Sequence, residues 1–184
     1  MRGKHENRKG GCGCGCLGTV VILVAAVVLC SWFFNTYRNG SALTDVDVPL
    51  VKTARAELGN KGGEKFWSWY GFDYQVDWCG CFVSWCADQN GYLDDDRVPK
   101  FCYVQEGLNW FKEEKKWKKP GYKPEGGEVI FFDWNDNDIA DHVGIVSGTM
   151  MGRVLTIEGN AKGSICARKS YRVDSKYIMG YGIP

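Results

Sequence analysis

Asp77-Trp-Cys-Gly-Cys-Phe-Val-Ser-Trp-Cys86 is the stretch of the chain best suited to nucleophilic chemistry. It reads as a turn running into a short helix. Asp77 is expected to cap that helix, which puts Cys79 in its first turn. Phe82, Val83 and Cys86 follow Cys79 at helical spacing and make one apolar face. Gly91, after Asn90, is the expected stop. A thiol in the first turn faces the positive end of the helix dipole. That position lowers a thiol's pKa from about 8.5 and favours the thiolate.

A thiolate nucleophile needs an imidazole. The chain has two histidines, and His5 lies before a long apolar run. His142, in Asp141-His-Val-Gly-Ile-Val146 at the head of a β-like run, is therefore the available base. Downstream comes Thr156-Ile-Glu-Gly-Asn160. Strand alternation predicts that Glu158 and Asn160 share one face, about 7 Å apart. An acid or amide there can hold an imidazole's tautomer and orientation.

The elements that must position these groups fall into two halves. Pro49 and the Leu50, Ala54, Leu58 face predict a helix capped at Asp47 and ended by Gly59. Glu64 to Tyr70 is a second helix, dense in aromatics. Tyr103 to Trp117 is an amphipathic helix. Lys115 to Lys123 reads as a solvated basic face. From Pro124 onward the pattern changes. Val129 to Phe132, His142 to Val146, Val154 to Glu158, Ile165 to Lys169 and Tyr177 to Tyr181 are β-like, with Asn, Asp or Gly in most gaps. Helices first and an antiparallel sheet second make an α+β domain.

Ahead of the domain, residues 1–16 are a basic and Gly/Cys-rich tail. Leu17 to Phe34 is an 18-residue run without charge. As a helix it spans roughly 27 Å, close to a bilayer core. Residues 35–47 read as a linker and 48–184 as the catalytic domain. Residues 1–40 carry five Lys/Arg and one Glu, or +4; residues 41–184 carry 18 and 21, or −3. The positive-inside rule then puts the N-terminus in the cytoplasm and the domain outside. The competing reading is a signal peptide cleaved near Gly40-Ser-Ala42. The acidic domain argues against nucleic-acid binding, and no phosphate-binding glycine motif follows a strand.

Cys79, Cys81, Cys86, Cys102 and Cys166 lie in the domain. No paired CxxC pattern is present, so a structural zinc site is not expected. Whether Cys81, Cys86, Cys102 and Cys166 pair as disulfides is open, since burial alone accounts for a cysteine on a helix face. Asp73, Asp77 and the Asp133 to Asp138 stretch do not have EF-hand spacing. No metal or cofactor is expected.

Taken together, Trp78-Cys-Gly-Cys-Phe-Val-Ser-Trp85, Gly126-Gly-Glu-Val-Ile-Phe-Phe-Asp133, Asp141-His-Val-Gly-Ile145, Ile157-Glu-Gly-Asn160 and Ile178-Met-Gly-Tyr181 resemble the CHAP family. These are cysteine- and histidine-dependent amidohydrolases/peptidases, related to NlpC-type wall peptidases and papain. The resemblance covers about residues 49–184. It implies a papain-like fold with Cys79 as nucleophile, His142 as general base, and Glu158 and Asn160 as orienting residues. Cys81 is the rival nucleophile, but the offset to Phe82-Val83 selects Cys79. The Cys79 amide is the expected oxyanion donor, with Tyr74 or Gln75 as a further one. The implied activity is hydrolysis of a peptidoglycan amide, at the N-acetylmuramoyl-L-alanine bond or within a peptide. The alternatives are a non-catalytic wall-binding or assembly protein on the same fold, and a cysteine amidase with another substrate. The expected partners are peptidoglycan, the membrane and, by analogy, a secretion or conjugation apparatus.

Overall fold

Residues 21–32 and 45–184 are described by the computed structural model of the chain. The basic tail, both ends of the 17–34 run and most of the linker lie outside the described residues. The chain separates into two compact units, Met1–Thr36 and Tyr37–Pro184. In the first, residues 21–32 form helix α1, with its valines, leucines and Trp32 exposed. Among the described residues no helix is long and apolar enough to cross a membrane.

The second unit begins its order earlier than expected. Asp45 and Val46, read above as linker, belong to the body of the domain. The buried Asp45 carboxylate pairs with both guanidinium nitrogens of Arg168. The Val46 N–H donates to the Ser147 carbonyl at 2.8 Å.

Four helices follow: α2 (Pro49–Ala56), α3 (Glu64–Tyr70), α4 (Cys79–Asp88) and α5 (Val104–Glu113). The cap expected at Asp47 is at Val48 instead. Pro49 sets the first helical turn without needing an N–H, and Asp47 pairs with Lys52 at 2.9 Å. The helix expected to run to Trp117 ends at Glu113, because Lys115 takes a positive φ of 59°. Trp117–Lys118 then forms a short strand, β1.

The remaining strands are β2 (Val129–Phe132), β3 (His142–Met150), β4 (Arg153–Ala161), β5 (Ile165–Arg172) and β6 (Ile178–Gly182). They build one six-stranded sheet in the order β1-β6-β2-β3-β4-β5, antiparallel at every pairing. The α+β architecture expected from the sequence is what forms.

Both faces of the sheet are covered. Val129, Phe131, Val143, Ile145 and Ile157 pack on the helices, against Leu50, Val51, Phe82, Val83 and Cys86. Ile130, Phe132, Val146, Val154, Ile178 and Tyr181 form a second cluster on the opposite face. This explains why β2 reads as an uninterrupted apolar run rather than an alternating one. Each fully buried aliphatic or aromatic side chain contributes about 1.5–3 kcal/mol relative to exposure. The helix-side cluster is the larger, and α4 lies inside it. Eight of the residues of α4 are buried, so its N-terminus is held rigidly against the sheet.

Candidate active site

The head of α4 is anchored from three directions. Trp78 is fully buried, stacks on Phe66 at 5.3 Å, and donates its indole N–H to Ser164 Oγ at 3.0 Å. Ser84 Oγ accepts the Phe101 N–H at 2.8 Å and donates to the Phe101 carbonyl at 2.7 Å. From the third side β4 comes very close. A Cβ on Gly159 would lie 2.5 Å from Phe82 Cβ and 2.8 Å from the Trp78 ring, so only glycine fits there. That close approach brings Glu158 up to the helix.

Cys79 is the first residue of α4 and is 4% exposed. Its thiol faces the His142 ring and interacts with it electrostatically. The other face of the same ring meets Glu158, with Nε2 3.0 Å from Oε2. Nδ1 is thereby left for the thiol. Glu158 is itself fully engaged. Its Oε2 also accepts from the Tyr171 hydroxyl at 3.1 Å, and its Oε1 accepts from the Thr156 hydroxyl at 2.5 Å. The side chain runs across Gly144, where a Cβ would fall 2.6 Å from Glu158 Cγ.

The electrostatics follow from these contacts. Burial pulls the His142 pKa down. The contacts with Cys79 and Glu158, and the negative charge both can carry, outweigh that and push it up to about 10. These contacts favour the imidazolium over the neutral ring. Tyr171 is pushed well above its ordinary value by burial and by the Glu158 charge, so it stays a hydrogen-bond donor.

Asn160 sits differently from the alternation argument. The β4–β5 register shifts between Glu158 and Ala161, and Asn160 takes a positive φ of 53°. Its amide turns from the imidazole and donates to Asp77 Oδ1 at 2.9 Å. This contact also corrects the expected cap: Trp78, not Asp77, is the N-cap residue of α4, and no side chain caps it. Gln75, considered above as an oxyanion donor, gives its amide to Ser164 Oγ at 3.1 Å. Tyr74 points to solvent at 68% exposure.

Cys81 is fully buried and lies beside Cys102, whose thiol donates to the Asp77 carbonyl at 3.8 Å. That neighbour and burial drive its pKa far up, which disfavours the thiolate. Cys79, Cys81, Cys86, Cys102 and Cys166 are all free thiols. Among the described residues no group of three or more His, Cys, Asp or Glu could hold a metal.

Thr156 and Tyr171 were not singled out from the sequence. Thr156 lies two residues before Glu158 on the same strand face, so strand alternation could have found it. Tyr171 comes from β5, where the register pairs it with Val154, and its long side chain reaches Glu158 from there.

Two clefts flank the pair. One, of about 590 Å³, opens beside Cys79 and is lined by Tyr70, Phe72, Val76, Tyr103 and Ile139 among others. The other, of about 500 Å³, opens beside His142 and Glu158. Asp141 borders both.

No curated protein matches this chain. Among solved structures, that of Ly7917 with the hydrolyzing product of MDP is similar at 16% identity, with a TM-score of 0.50 over 74% of this chain and 62% of that one. Ly7917 alone gives 17% identity and a TM-score of 0.49, over 74% and 61%. The chain therefore spans about three fifths of Ly7917, and at 16% identity the likeness is one of fold. The CHAP domain family matches residues 69–160, which is 92 of 184 residues and takes in α4, β2, His142 and Glu158. The chain belongs to the CHAP-domain family.

Proposed function

We propose that this protein is a peptidoglycan hydrolase that cleaves an amide bond through Cys79 and His142. The observation that carries the reading is the position of one imidazole between a helix-head thiol and a buried carboxylate. Binding alone has no use for that arrangement, which argues against a purely wall-binding or assembly protein.

In this reading the Cys79 thiolate attacks the amide carbonyl and the imidazolium balances its charge. The Cys79 N–H belongs to the first turn of α4, whose amides lack intrahelical acceptors. It stabilises the oxyanion. His142 gives its proton to the leaving amine, and the acyl-enzyme remains. His142 then takes a proton from water, which attacks the acyl carbon and frees Cys79. Glu158 keeps the ring in place throughout and stabilises its charged form. The bond is the N-acetylmuramoyl-L-alanine amide or a peptide bond of the wall.

The same proposal makes the 17–34 run a single-pass anchor, with residues 1–16 cytoplasmic and the domain outside the membrane. Four basic residues before the run and its 18 uncharged residues support this, as do the exposed apolar side chains of α1.

Zymography on purified wall tests the function. The wild-type protein should clear the wall and Cys79→Ala should not. Wall retention without clearing by the wild type would favour the binding reading. Clearing of neither wall nor wall peptides, with turnover of other amides, would favour a different amidase substrate.

A further inference from the structure

The cleft beside His142 differs in charge from the cleft beside Cys79. The Cys79 cleft is lined by Asp77, Glu106 and Asp141, with no lysine or arginine. The His142 cleft carries Lys162 and Lys169. Its two carboxylates are already committed. Glu158 is held by His142, Thr156 and Tyr171, and Asp141 Oδ2 accepts the Trp134 N–H at 3.0 Å. Neither Lys162 nor Lys169 forms an ion pair among the described residues.

Lys169 is also half-buried, on the sheet face that bears Thr156, its paired residue on β4. Partial burial of an ammonium without a counter-ion is unfavourable, and an incoming anion relieves it. An anionic group is repelled by the acidic wall on the Cys79 side and attracted on the His142 side. The exposed face of Trp134, which is 39% accessible, borders the same cleft and offers a flat apolar surface for the attached chain.

We propose that Lys162 and Lys169 form a carboxylate subsite that holds the substrate on the His142 side of the bond to be cut. The inference rests on the wall-hydrolase reading and narrows it. The preferred substrate is a wall peptide with a free carboxylate near the scissile amide, lying in one direction across the site. A wall in which those carboxylates are carboxamides is a poorer substrate.

The test uses the full-length protein and peptidoglycan freed of phosphate-bearing polymers. One half of the preparation is treated with carbodiimide and ammonia, which converts carboxyl groups to carboxamides. The wild-type protein should hydrolyse untreated wall faster at limiting substrate, on the order of tenfold. The Lys162→Gln/Lys169→Gln variant should fall on untreated wall to about the wild-type rate on amidated wall, so that the ratio between the two walls approaches one. Lys169→Arg should keep the preference. Circular dichroism checks that each variant is folded. Equal wild-type rates on the two walls would overturn the subsite and leave the hydrolase reading intact. No hydrolysis of either wall by folded wild-type protein would overturn both.

Discussion

Glu158 accepts three hydrogen bonds inside the sheet, and the one from His142 Nε2, at 3.0 Å, fixes the imidazole that faces Cys79. Thr156 and Tyr171 hold the carboxylate, the carboxylate holds the ring, and the ring meets the thiol. Asn160 stands outside this chain of contacts and ties β4 to the loop before α4 through Asp77.

The two residues should therefore respond differently to substitution. Glu158→Gln keeps the side chain's shape but removes its charge. It should lower kcat on the order of 10- to 1000-fold in a folded protein. Combined with His142→Ala it should add little, because residues acting as one unit are non-additive. Asn160→Ala should cost less, and Asp77→Asn should resemble it. Equal losses from Glu158→Gln and Asn160→Ala, read as wall hydrolysis rates, would contradict the separation of their roles.

Cys81 and Cys79 are two residues apart but should not be interchangeable. Cys81→Ala should retain most activity, losing some stability from the fully packed core. Cys79→Ala should be inactive. An inactive Cys81→Ala beside an active Cys79→Ala would show that the nucleophile has been misassigned.

The raised His142 pKa makes a stability prediction. Its folded value of about 10 lies above the ordinary 6.5, so the folded state holds this proton more tightly. The resulting stabilisation is fully present below about pH 6.5 and is lost as pH rises through about 10. Burial also raises the Cys86 and Cys166 thiols from 9.0, so they add to the loss at the alkaline end. In the proposed ion pair Cys79 gives up a proton as His142 gains one, so the test uses Cys79→Ala, in which the decline between pH 6.5 and 8 is that of His142. Urea unfolding should show it in Cys79→Ala and show it much reduced in Cys79→Ala/His142→Gln. Identical slopes in the two proteins would remove the imidazolium.

Topology is checked in intact cells. Added protease should digest residues 41–184, and the full-length chain should sediment with membranes. A mature chain starting near Leu43 in the medium would replace the anchor with a cleaved signal.

Much of this site could be read from residue order. Cys79 at a helix head follows from Phe82, Val83 and Cys86 at helical spacing. The limits of α3 and β2 are those that sequence pattern predicts. Glu158 was legible because it needs only one strand's alternation. Asn160 was not, because the break after Glu158 depends on pairing with β5 and on its positive φ. The contact Asp77 makes with Asn160 spans 83 positions of sequence, and no local signal separates it from a cap. Trp117 closes a helical pattern on paper, but β6 recruits it with Lys118 as an edge strand. In each case a long-range contact overrides a sound local preference.

The most direct measurement is mass spectrometry of purified peptidoglycan digested by the wild-type protein and by Cys79→Ala, with new amino groups and new reducing ends both counted. Amide hydrolysis through Cys79 predicts wild-type fragments with new amino groups, no new reducing ends, and neither product from Cys79→Ala. New reducing ends, or amino groups released equally by Cys79→Ala, would contradict it.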